Sequence, residues 1–336
     1  PGLRLQYADF AARQRQSAQE PAFLQQLEFW KNQLAGTPPA LELPLDHSRP
    51  AHKTSNGAAI RFTISQELSK EVAHIGRHEG ATLFMTLLAA YYILLYRYTG
   101  QEDILAGTPI ANRNRREIEE LIGFFVNNLV LRVKLSADST FLDVLKTVRE
   151  ICLEAYSHQD VPFERLVEEL QPERSLSHSP LFQVVFHLQN VLTDELKLRG
   201  LSISMVNTPI TKAKFDLVLT MTEAPEGLRG LLAYNTDLFE AETATRIVTH
   251  FQTLLESAIG NPHSQIASLP MLTPSEQHHM LFIWNNLRRD YGKSRLVHEV
   301  FEEQANRRPQ ATALKFENTT ITYKELNQRA NQLAHR

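Results

Sequence analysis

The sequence predicts an α/β fold in which helices cover a mixed sheet. Helical and strand patterns mingle over residues 1–260, without the strict strand–helix–strand rhythm of a parallel sheet. With 336 residues, of which 43% are hydrophobic and 22% charged, the chain has ample material for a globular core. This length favours one large domain or two smaller ones.

The N-terminal third is predicted to be mainly helical. One helix ends near Gly36, a proline-rich connection follows, and Ser65 caps a second helix that ends at Gly80. Thr82 begins a mostly apolar helix that ends near Gly100, since glycine is typical of helix ends. The first helix is recognised by large apolar residues at helical spacing, namely Phe23, Leu27, Trp30 and Leu34.

From residue 103 onward, strand patterns alternate with helices. A helix from about Thr140 to Ser157 carries an apolar stripe that includes Cys152, and a later helix around residues 247–259 ends at Gly260. Alternating or continuous apolar runs rich in β-branched and aromatic residues indicate the strands. We predict strands at residues 103–110, 125–136, 181–189, 201–206, 214–223 and 228–235.

The last part of the chain changes character. Thr273 and Glu276 form a capping box around Pro274, which predicts a short helix in a connecting segment. After a charged stretch, a new pattern begins, with a helix at 296–308, a strand at 311–316 and a helix capped by Thr322. We therefore expect three regions, residues 1–264, 265–295 and 296–336. Because the chain starts without methionine and stops inside a helical pattern, we also expect it to be an excised piece.

Composition excludes several classes of function. A formal net charge of −3 gives no general attraction to nucleic acid. The single cysteine, Cys152, excludes an internal disulfide and a cysteine-based zinc cluster, and it agrees with a reduced, cytoplasmic setting. The longest mostly apolar run, Leu83 to Tyr96, is shorter than the roughly 20 residues that cross a bilayer, so we expect no membrane partner.

The stretch "SHQDVPFERLVEEL" at 157–170 is the first candidate site. Asp160 is predicted to be an N-cap that accepts from the Phe163 amide, and Pro162 has no amide to lose. Helix initiation does not explain His158 and Gln159, although spacing alone favours a structural role over a catalytic one.

Two further stretches place polar side chains among apolar ones. In "GFFVNNLVLR", Gly123 permits close backbone approach, and Asn127 or Asn128 is expected to face inward, where its amide needs a backbone or ligand partner. Asp216 in "KFDLVLT" is either exposed or paired with Lys214 or an arginine.

Other chemistry has little support in the sequence. His74 and His78 lack a third metal ligand, and Cys152 lies on an apolar stripe, so we expect neither a metal site nor a cysteine nucleophile. The chain has no G-x-S-x-G motif and no glycine-rich phosphate loop. Two remaining groups are interpreted as solvated, the adjacent histidines and an arginine cluster that could also meet a phosphate, namely His278, His279, Arg113, Arg115 and Arg116.

Six segments in this order resemble the motifs of the condensation domain of nonribosomal peptide synthetases. They are "YADFA" from Tyr7, "GTPIANR" from Gly107, "IGFFVNNLVLR" from Ile122, "HQDVPFE" from His158, "RSLSHSPLFQVVF" from Arg174 and "KFDL" from Lys214. Residues 272–285 resemble the connector that leaves this domain, and "ITYKEL" at 321–326 resembles the opening motif of an adenylation domain.

The resemblance implies a chloramphenicol-acetyltransferase-like fold of two lobes with a tunnel between them, of which this chain holds mainly the C-terminal lobe. It implies a tunnel-side role for Asn127, Asn128, His158, Gln159, Asp160, Pro162 and Phe163. It marks Tyr7, Asp9, Arg113, Gly123, Arg174 and Asp216 as motif residues with structural roles.

Two departures from the family pattern stand out. Its catalytic H-H-x-x-x-D-G motif occurs nowhere in this sequence, so we expect that motif upstream of Pro1 and expect the isolated chain to be inactive. Asn128 stands where the family usually has threonine.

The implied activity is amide-bond formation in peptide-antibiotic and other secondary-metabolite biosynthesis. A donor thioester and an acceptor amine, each on the phosphopantetheine arm of a carrier domain, would meet in the tunnel. The chain would bind no cofactor directly, and ATP would serve the adjoining adenylation domain. An epimerisation domain of the same superfamily, or an interaction platform that docks carrier domains without chemistry, are the alternatives.

Overall fold

A six-stranded mixed sheet organises the first of two compact units, residues 1–274 and 275–336. The computed structural model describes residues 5–38, 40–172, 175–189, 208–286 and 296–336. The sheet order is β1-β6-β5-β4-β2-β3. Its strands are β1 (Gly57–Ser65), β2 (Asp103–Ile110), β3 (Asn127–Lys134), β4 (Val184–Gln189), β5 (Leu217–Ala224) and β6 (Gly227–Asn235).

The sheet joins parallel and antiparallel pairs. β4 runs parallel to both β2 and β5, and the other neighbours are antiparallel. Five of these strands were predicted, but β1 was assigned to no element, although Ile60, Phe62 and Ile64 alternate with more exposed residues. The strand predicted at 201–206 lies outside the described residues, as does Arg174.

Helices cover the sheet and enclose a core around one of them. The helices of this unit are α1 (Tyr7–Ser17), α2 (Pro21–Gln33), α3 (Gln66–His78), α4 (Leu83–Thr99), α5 (Phe141–Ser157), α6 (Phe163–Leu170) and α7 (Ala241–Gly260). α4 contacts α3, α5 and α7, and its residues from Met85 to Leu95 are buried. This explains why α4 is apolar on every face.

Local sequence signals set the ends of these helices. The Ser65 hydroxyl accepts from the Leu68 amide at 3.2 Å, and Thr82 accepts from Met85 at 3.3 Å. α4 ends at Gly100, whose φ of 69° is the left-handed conformation that glycine adopts at low cost. These caps lie where the sequence predicted them.

The second unit begins within a short helix, α8 (Pro274–His278), and continues with a π-helical turn at His279–Ile283. It also contains α9 (Val297–Arg307), a hairpin of β7 (Thr312–Phe316) and β8 (Thr319–Thr322), and α10 (Tyr323–Ala334). The predicted cap is present, since Thr322 accepts from the Glu325 amide at 3.3 Å and the Glu325 carboxylate accepts from the Thr322 amide at 3.0 Å.

None of the described helices is long and apolar enough to cross a membrane by itself. α3 and α4 reach that length and composition only as a pair bent by 104°.

Candidate functional site

The side chain of Asn127, at the start of β3, holds the turn between α5 and α6. Its Nδ2 donates to the Gln159 carbonyl at 3.0 Å and the Val161 carbonyl at 2.8 Å. Its Oδ1 accepts from the backbone amides of Phe163 at 3.0 Å and Asn128 at 2.9 Å. This buried amide thus has backbone partners for both donors and for its oxygen, as inward-facing amides require.

The prediction that Asp160 caps α6 is wrong. Asn127 accepts the Phe163 amide, and the residue in the N-cap position is Pro162, which costs no amide. The Asp160 carboxylate instead accepts from Gln26 at 2.9 Å and from Asn114 at 3.3 Å. The predicted cap failed because the fold brings β3, more than thirty residues away in sequence, to the helix start.

Three residues of α2 hold the same turn from the other side. Gln26 also accepts from the Asp160 amide at 3.1 Å, so the two residues form a reciprocal pair. Trp30 donates from Nε1 to the His158 carbonyl at 2.8 Å, and the Phe29 ring stacks on the His158 imidazole with centroids 3.8 Å apart. The sequence predicted Trp30 as a core residue but gave no role to Gln26 or Phe29. Their spacing of three residues places them on neighbouring positions of one helix face, which was the signal that could have linked them to a common contact.

His158 and Gln159 finish α5. His158 Nδ1 lies 2.7 Å from the Glu154 carbonyl oxygen, and Gln159 donates to the Tyr156 carbonyl at 2.9 Å. The last carbonyls of a helix lack partners within the helix, and these two side chains contact two of them. This contact at the end of α5 accounts for His158 and Gln159, which the start of α6 did not explain. Their predicted tunnel-side role stays a prediction.

Asn128 differs from its neighbour. It is half-buried and pairs with Pro109 in the register of β2 and β3. Within the described residues, its side-chain amide has no hydrogen-bond partner.

A second cluster joins α1 to the loop before β3; we call it the aromatic cluster, consisting of Tyr7, Phe10, Ile118, Leu121 and Phe125. The Tyr7 hydroxyl donates to the Phe124 carbonyl at 3.0 Å. A Cβ on Gly123 would lie 2.3 Å from Tyr7 Cδ2, so this glycine makes the close approach possible, as predicted. The Asp9 carboxylate accepts from the Gln6 amide at 2.9 Å and thereby starts α1.

Arg113 belongs to this cluster rather than to a purely solvated loop. Its guanidinium lies 4.2 Å from the Phe125 ring centroid and donates to the carbonyls of Ile118 at 2.5 Å and Glu119 at 3.0 Å. Arg115 and Arg116 are exposed, as interpreted from the sequence.

Asp216 is buried immediately before β5 and pairs with an arginine. Arg49 meets both carboxylate oxygens, with Nη1–Oδ1 at 3.1 Å and Nη2–Oδ2 at 2.5 Å. This bidentate geometry compensates part of the cost of removing the carboxylate from water. Of the partners considered from the sequence, the arginine is the one found.

An open cleft of about 370 Å³ lies among these motifs. Its lining residues come from four separate segments, namely Lys53, Thr54, Ser55, Phe163, Ser179, Pro180, Lys214 and Phe215. The Phe182 ring packs between Phe163 and Phe215, at centroid distances of 5.4 and 5.2 Å. A Cβ on Gly107 would lie 2.2 Å from the Phe182 ring, which gives the "GTPIANR" glycine a packing function.

The structure brings four predicted motifs to this cleft or its aromatic wall, while residues 53–55 were missed. No periodicity or recognised motif marks those residues in the sequence. Cys152 is fully buried, and burial raises the pKa of its thiol to about 12, as expected for a core residue rather than a nucleophile. Over the ranges described, no group of three or more potential ligands could hold a metal ion.

The sequence model of the family described as Condensation domain matches residues 1–281. The chain belongs to the condensation-domain family. It is similar to two linear gramicidin synthase proteins of Brevibacillus parabrevis, with 47% identity over 336 residues to one and 45% over 335 residues to the other. Each alignment covers 99% of this chain but only 6% and 7% of the relative, so the condensation-domain chain spans a small part of these synthases.

Two solved structures agree with this assignment. A four-domain nonribosomal peptide synthetase bound to AMP and glycine superposes with a TM-score of 0.77 at 28% identity, over 95% of this chain and 25% of that one. The X-domain from teicoplanin biosynthesis gives a TM-score of 0.75 at 30% identity, over 81% and 63%. The predictions of a mixed α/β fold and of a nonribosomal peptide synthetase condensation domain are confirmed.

Proposed function

We propose that residues 1–264 are the C-terminal portion of a condensation domain that joins a donor aminoacyl or peptidyl thioester to the amine of an acceptor aminoacyl thioester. Residues 265–295 would be the linker, and residues 296–336 the start of an adenylation domain. The observation that carries this proposal is the 47% identity to a linear gramicidin synthase along the whole chain, because it includes the second unit as well as the first.

The proposed reaction forms one C–N bond and breaks one C–S bond. The acceptor amine attacks the donor thioester carbonyl, and the donor thiol leaves with a proton that the amine gives up. Both reactants are tethered, so a site that orients them supplies much of the rate enhancement. The imidazole that would orient the amine or accept its proton belongs to the motif that we expect upstream of Pro1.

Within this proposal, the turn at 158–163 forms part of the tunnel wall. Asn127, Gln26 and Trp30 fix its backbone from two directions through hydrogen bonds of 2.8–3.1 Å. A wall held in this way keeps one geometry while substrates enter, and such preorganisation is what tethered-reactant catalysis needs. His158 then presents one ring nitrogen to the Glu154 carbonyl and one ring face to Phe29, and the residue as a whole is half-buried.

The partners under this proposal are an upstream donor carrier domain, a downstream acceptor carrier domain and the adjoining adenylation domain. The phosphopantetheine arms belong to the carriers, and ATP belongs to the adenylation reaction. The chain itself then contributes surfaces and side chains but no bound cofactor.

A second candidate function is a docking platform without chemistry. A solved complex pairs the X-domain with OxyB from teicoplanin biosynthesis, and that complex matches this chain at 31% identity with a TM-score of 0.74. A domain of this fold thus occurs in a complex with another protein.

Amide formation between a loaded donor carrier and a loaded acceptor carrier distinguishes the two candidates. We expect product from a longer chain that includes the upstream histidine motif and none from residues 1–336 alone. Binding of carriers by both chains with product from neither would instead support the docking platform.

The longer chain also tests the turn. His158→Ala should reduce amide formation and lower the thermal midpoint only modestly, because the half-buried ring gives up its stacking on Phe29 and its contact with the Glu154 carbonyl. The matched control is His74→Ala, which removes an exposed imidazole from α3. If His158→Ala alters neither product formation nor folding, His158 has no tunnel-side role.

A further inference from the structure

One wall of the cleft is the segment 53–57, which we call the strap. Backbone hydrogen bonds hold this segment on both sides. The Lys53 amide donates to the Leu176 carbonyl at 2.6 Å on one side. On the other, the Gly57 amide donates to the Thr211 carbonyl at 3.0 Å, and the Ser55 carbonyl accepts from Ala213 at 2.9 Å. The strap therefore presents its side chains to the cleft from a fixed backbone.

The cleft carries an excess of positive charge. Lys53 and Lys214 both line it, and within the described ranges neither forms a salt bridge. The nearby carboxylate, Asp216, is already paired with Arg49 in bidentate geometry. Two ammonium groups are thus left without a paired counter-charge at one open cleft, although both residues are exposed and water screens part of their attraction for an anion.

Lys53 is held at the cleft by contacts other than ion pairs. Its Nζ donates to the Ser179 hydroxyl and lies 5.2 Å from the centroid of the Phe215 ring. Burial lowers the pKa of Lys53, the charges of Arg49 and Lys214 lower it further, and Asp216 acts in the opposite direction. A bound anion would raise the pKa of Lys53 again, because it stabilises the charged ammonium.

We propose that this cleft binds an oxyanion of the substrate, a phosphate or a carboxylate, with Lys53 as the main contact and Lys214 as the second. The inference rests on the proposed function, which brings substrate arms to this lobe. Hydroxyl groups of Ser55 and Ser179 line the same space and can donate to oxyanion oxygens, while Phe163 and Phe215 offer apolar surface to a methylene chain. The volume falls within the roughly 300–1,000 Å³ of small-molecule sites.

The oxyanion has two sources that defined probes separate. Phosphopantetheine and pantetheine differ only in the phosphate, whereas aspartyl-pantetheine and asparaginyl-pantetheine differ in a side-chain carboxylate. Calorimetric titration of residues 1–336 with each pair measures the preference for the charged member. We expect about a tenfold preference in one pair, from the usual strength of hydrogen bonds to charged groups.

Lys53→Met should abolish that preference and leave the affinity for the neutral member within about twofold, because the methionine keeps the apolar stem. Lys70→Met is the matched control, since Lys70 is exposed on α3 and away from the cleft lining. Lys214→Met gives a second reading if Lys53→Met fails to fold, and it should lower the preference by a smaller factor.

The four titrations assign the source or overturn the site. A preference for phosphopantetheine that Lys53→Met removes identifies a phosphate, and one for aspartyl-pantetheine identifies a carboxylate. Equal binding of both members in both pairs, or a preference that survives in both lysine variants, overturns the oxyanion site while leaving the condensation proposal intact. Binding of no probe at all overturns the oxyanion site, and the carrier assay above then decides separately on amide formation.

Discussion

The turn at 158–163 and the aromatic cluster around Tyr7 both belong to predicted motifs, but different forces hold them. Polar side chains from two distant segments fix the turn, and Asn127 supplies three of those hydrogen bonds. In the aromatic cluster, Tyr7 packs against a glycine and other rings, and among the described side chains the Tyr7 hydroxyl and the Arg113 guanidinium add hydrogen bonds.

This difference determines how each region fails. The turn adjoins the main core through Trp30 and Leu166, so a lost contact there is expected to destabilise the whole first unit. The aromatic cluster has its own small core, and its loop exposes 96% of Ile122 and 75% of Phe124. Regions with few buried contacts open locally without global unfolding. The aromatic cluster should therefore open alone, and the turn should not.

The largest effect is expected from Asn127→Ala. The substitution leaves the Phe163 amide and the carbonyls of Gln159 and Val161 without their side-chain partner in a buried setting. Unsatisfied buried groups cost about 1–3 kcal/mol each when water cannot replace the partner, so we expect about 3 kcal/mol of lost stability in total. Urea unfolding followed by the fluorescence of Trp30 measures it, because its indole bonds the same turn.

Asn128→Ala is the matched control for that experiment. The adjacent amide has no side-chain hydrogen bond within the described residues, so its removal should cost less than about 1 kcal/mol. Equal losses for the two variants would contradict the assignment of Asn127 as the anchor of the turn.

Gly123→Ala is expected to have the next largest effect, confined to the aromatic cluster. The added Cβ would lie 2.3 Å from Tyr7 Cδ2, so the ring must move and its hydroxyl loses the Phe124 carbonyl. Overpacking of this kind costs about 1–3 kcal/mol. Hydrogen exchange should show the amides of α1 exchanging about tenfold or more faster, while those of α4 keep their protection.

Gly260→Ala provides the contrast, because no described atom lies within 4 Å of its Cβ position. It should leave exchange in α1 unchanged. If Gly123→Ala accelerates exchange in α4 as strongly as in α1, the aromatic cluster is not a separate unit of stability and the comparison with the turn fails.

Asp160→Ala should have a smaller effect than either, because Asp160 is exposed. It removes the acceptor for Gln26 and Asn114, and exposed polar contacts contribute about 1 kcal/mol or less. The decisive measurement is hydrogen exchange at the Phe163 amide, which Asn127 accepts. That amide should stay protected in Asp160→Ala and lose protection in Asn127→Ala. The reverse pattern would restore Asp160 as the helix cap.

Sequence alone predicted the elements whose signals are local. Caps at Ser65 and Thr82, the glycine at position 100 and the apolar stripe of α5 each depend on residues within a few positions of one another. β1 was missed because it follows a proline-rich connection and, among the described strands, pairs with β6 alone, so it has a weak apolar alternation.

The site was only partly predictable, for the same reason. Asn127, Asp216 and Gly123 were singled out because each departs from its apolar surroundings, yet their partners come from distant segments. N-caps are predicted from residues close in sequence, but the Phe163 amide donates to Asn127, a residue of β3 that is distant in sequence. Lys53 had no local signal at all, since its importance follows from the charges that the fold places around it.

The smallest effect, from Tyr91→Phe, isolates what a hydrogen-bond partner contributes to a buried polar group. Tyr91 and Tyr92 are adjacent on α4 and fully buried, but the Tyr92 hydroxyl donates to the Leu131 carbonyl at 2.8 Å, whereas that of Tyr91 has no partner among the described residues. Because burying an unpartnered hydroxyl is unfavourable, Tyr91→Phe should change the free energy of unfolding by about zero or increase it by up to about 1 kcal/mol.

Tyr92→Phe removes the same atom from a satisfied site and should cost about 1 kcal/mol or more. Both variants keep the ring, so the packing of α4 is unchanged and the difference between them reports the hydrogen bond alone. Urea unfolding of the two proteins under identical conditions measures that difference. If Tyr91→Phe lowers the free energy of unfolding as much as Tyr92→Phe does, the Tyr91 hydroxyl has a hydrogen-bond partner in solution. The contrast between partnered and unpartnered polar groups, drawn from Asn127 and Asn128, would then not extend to the core.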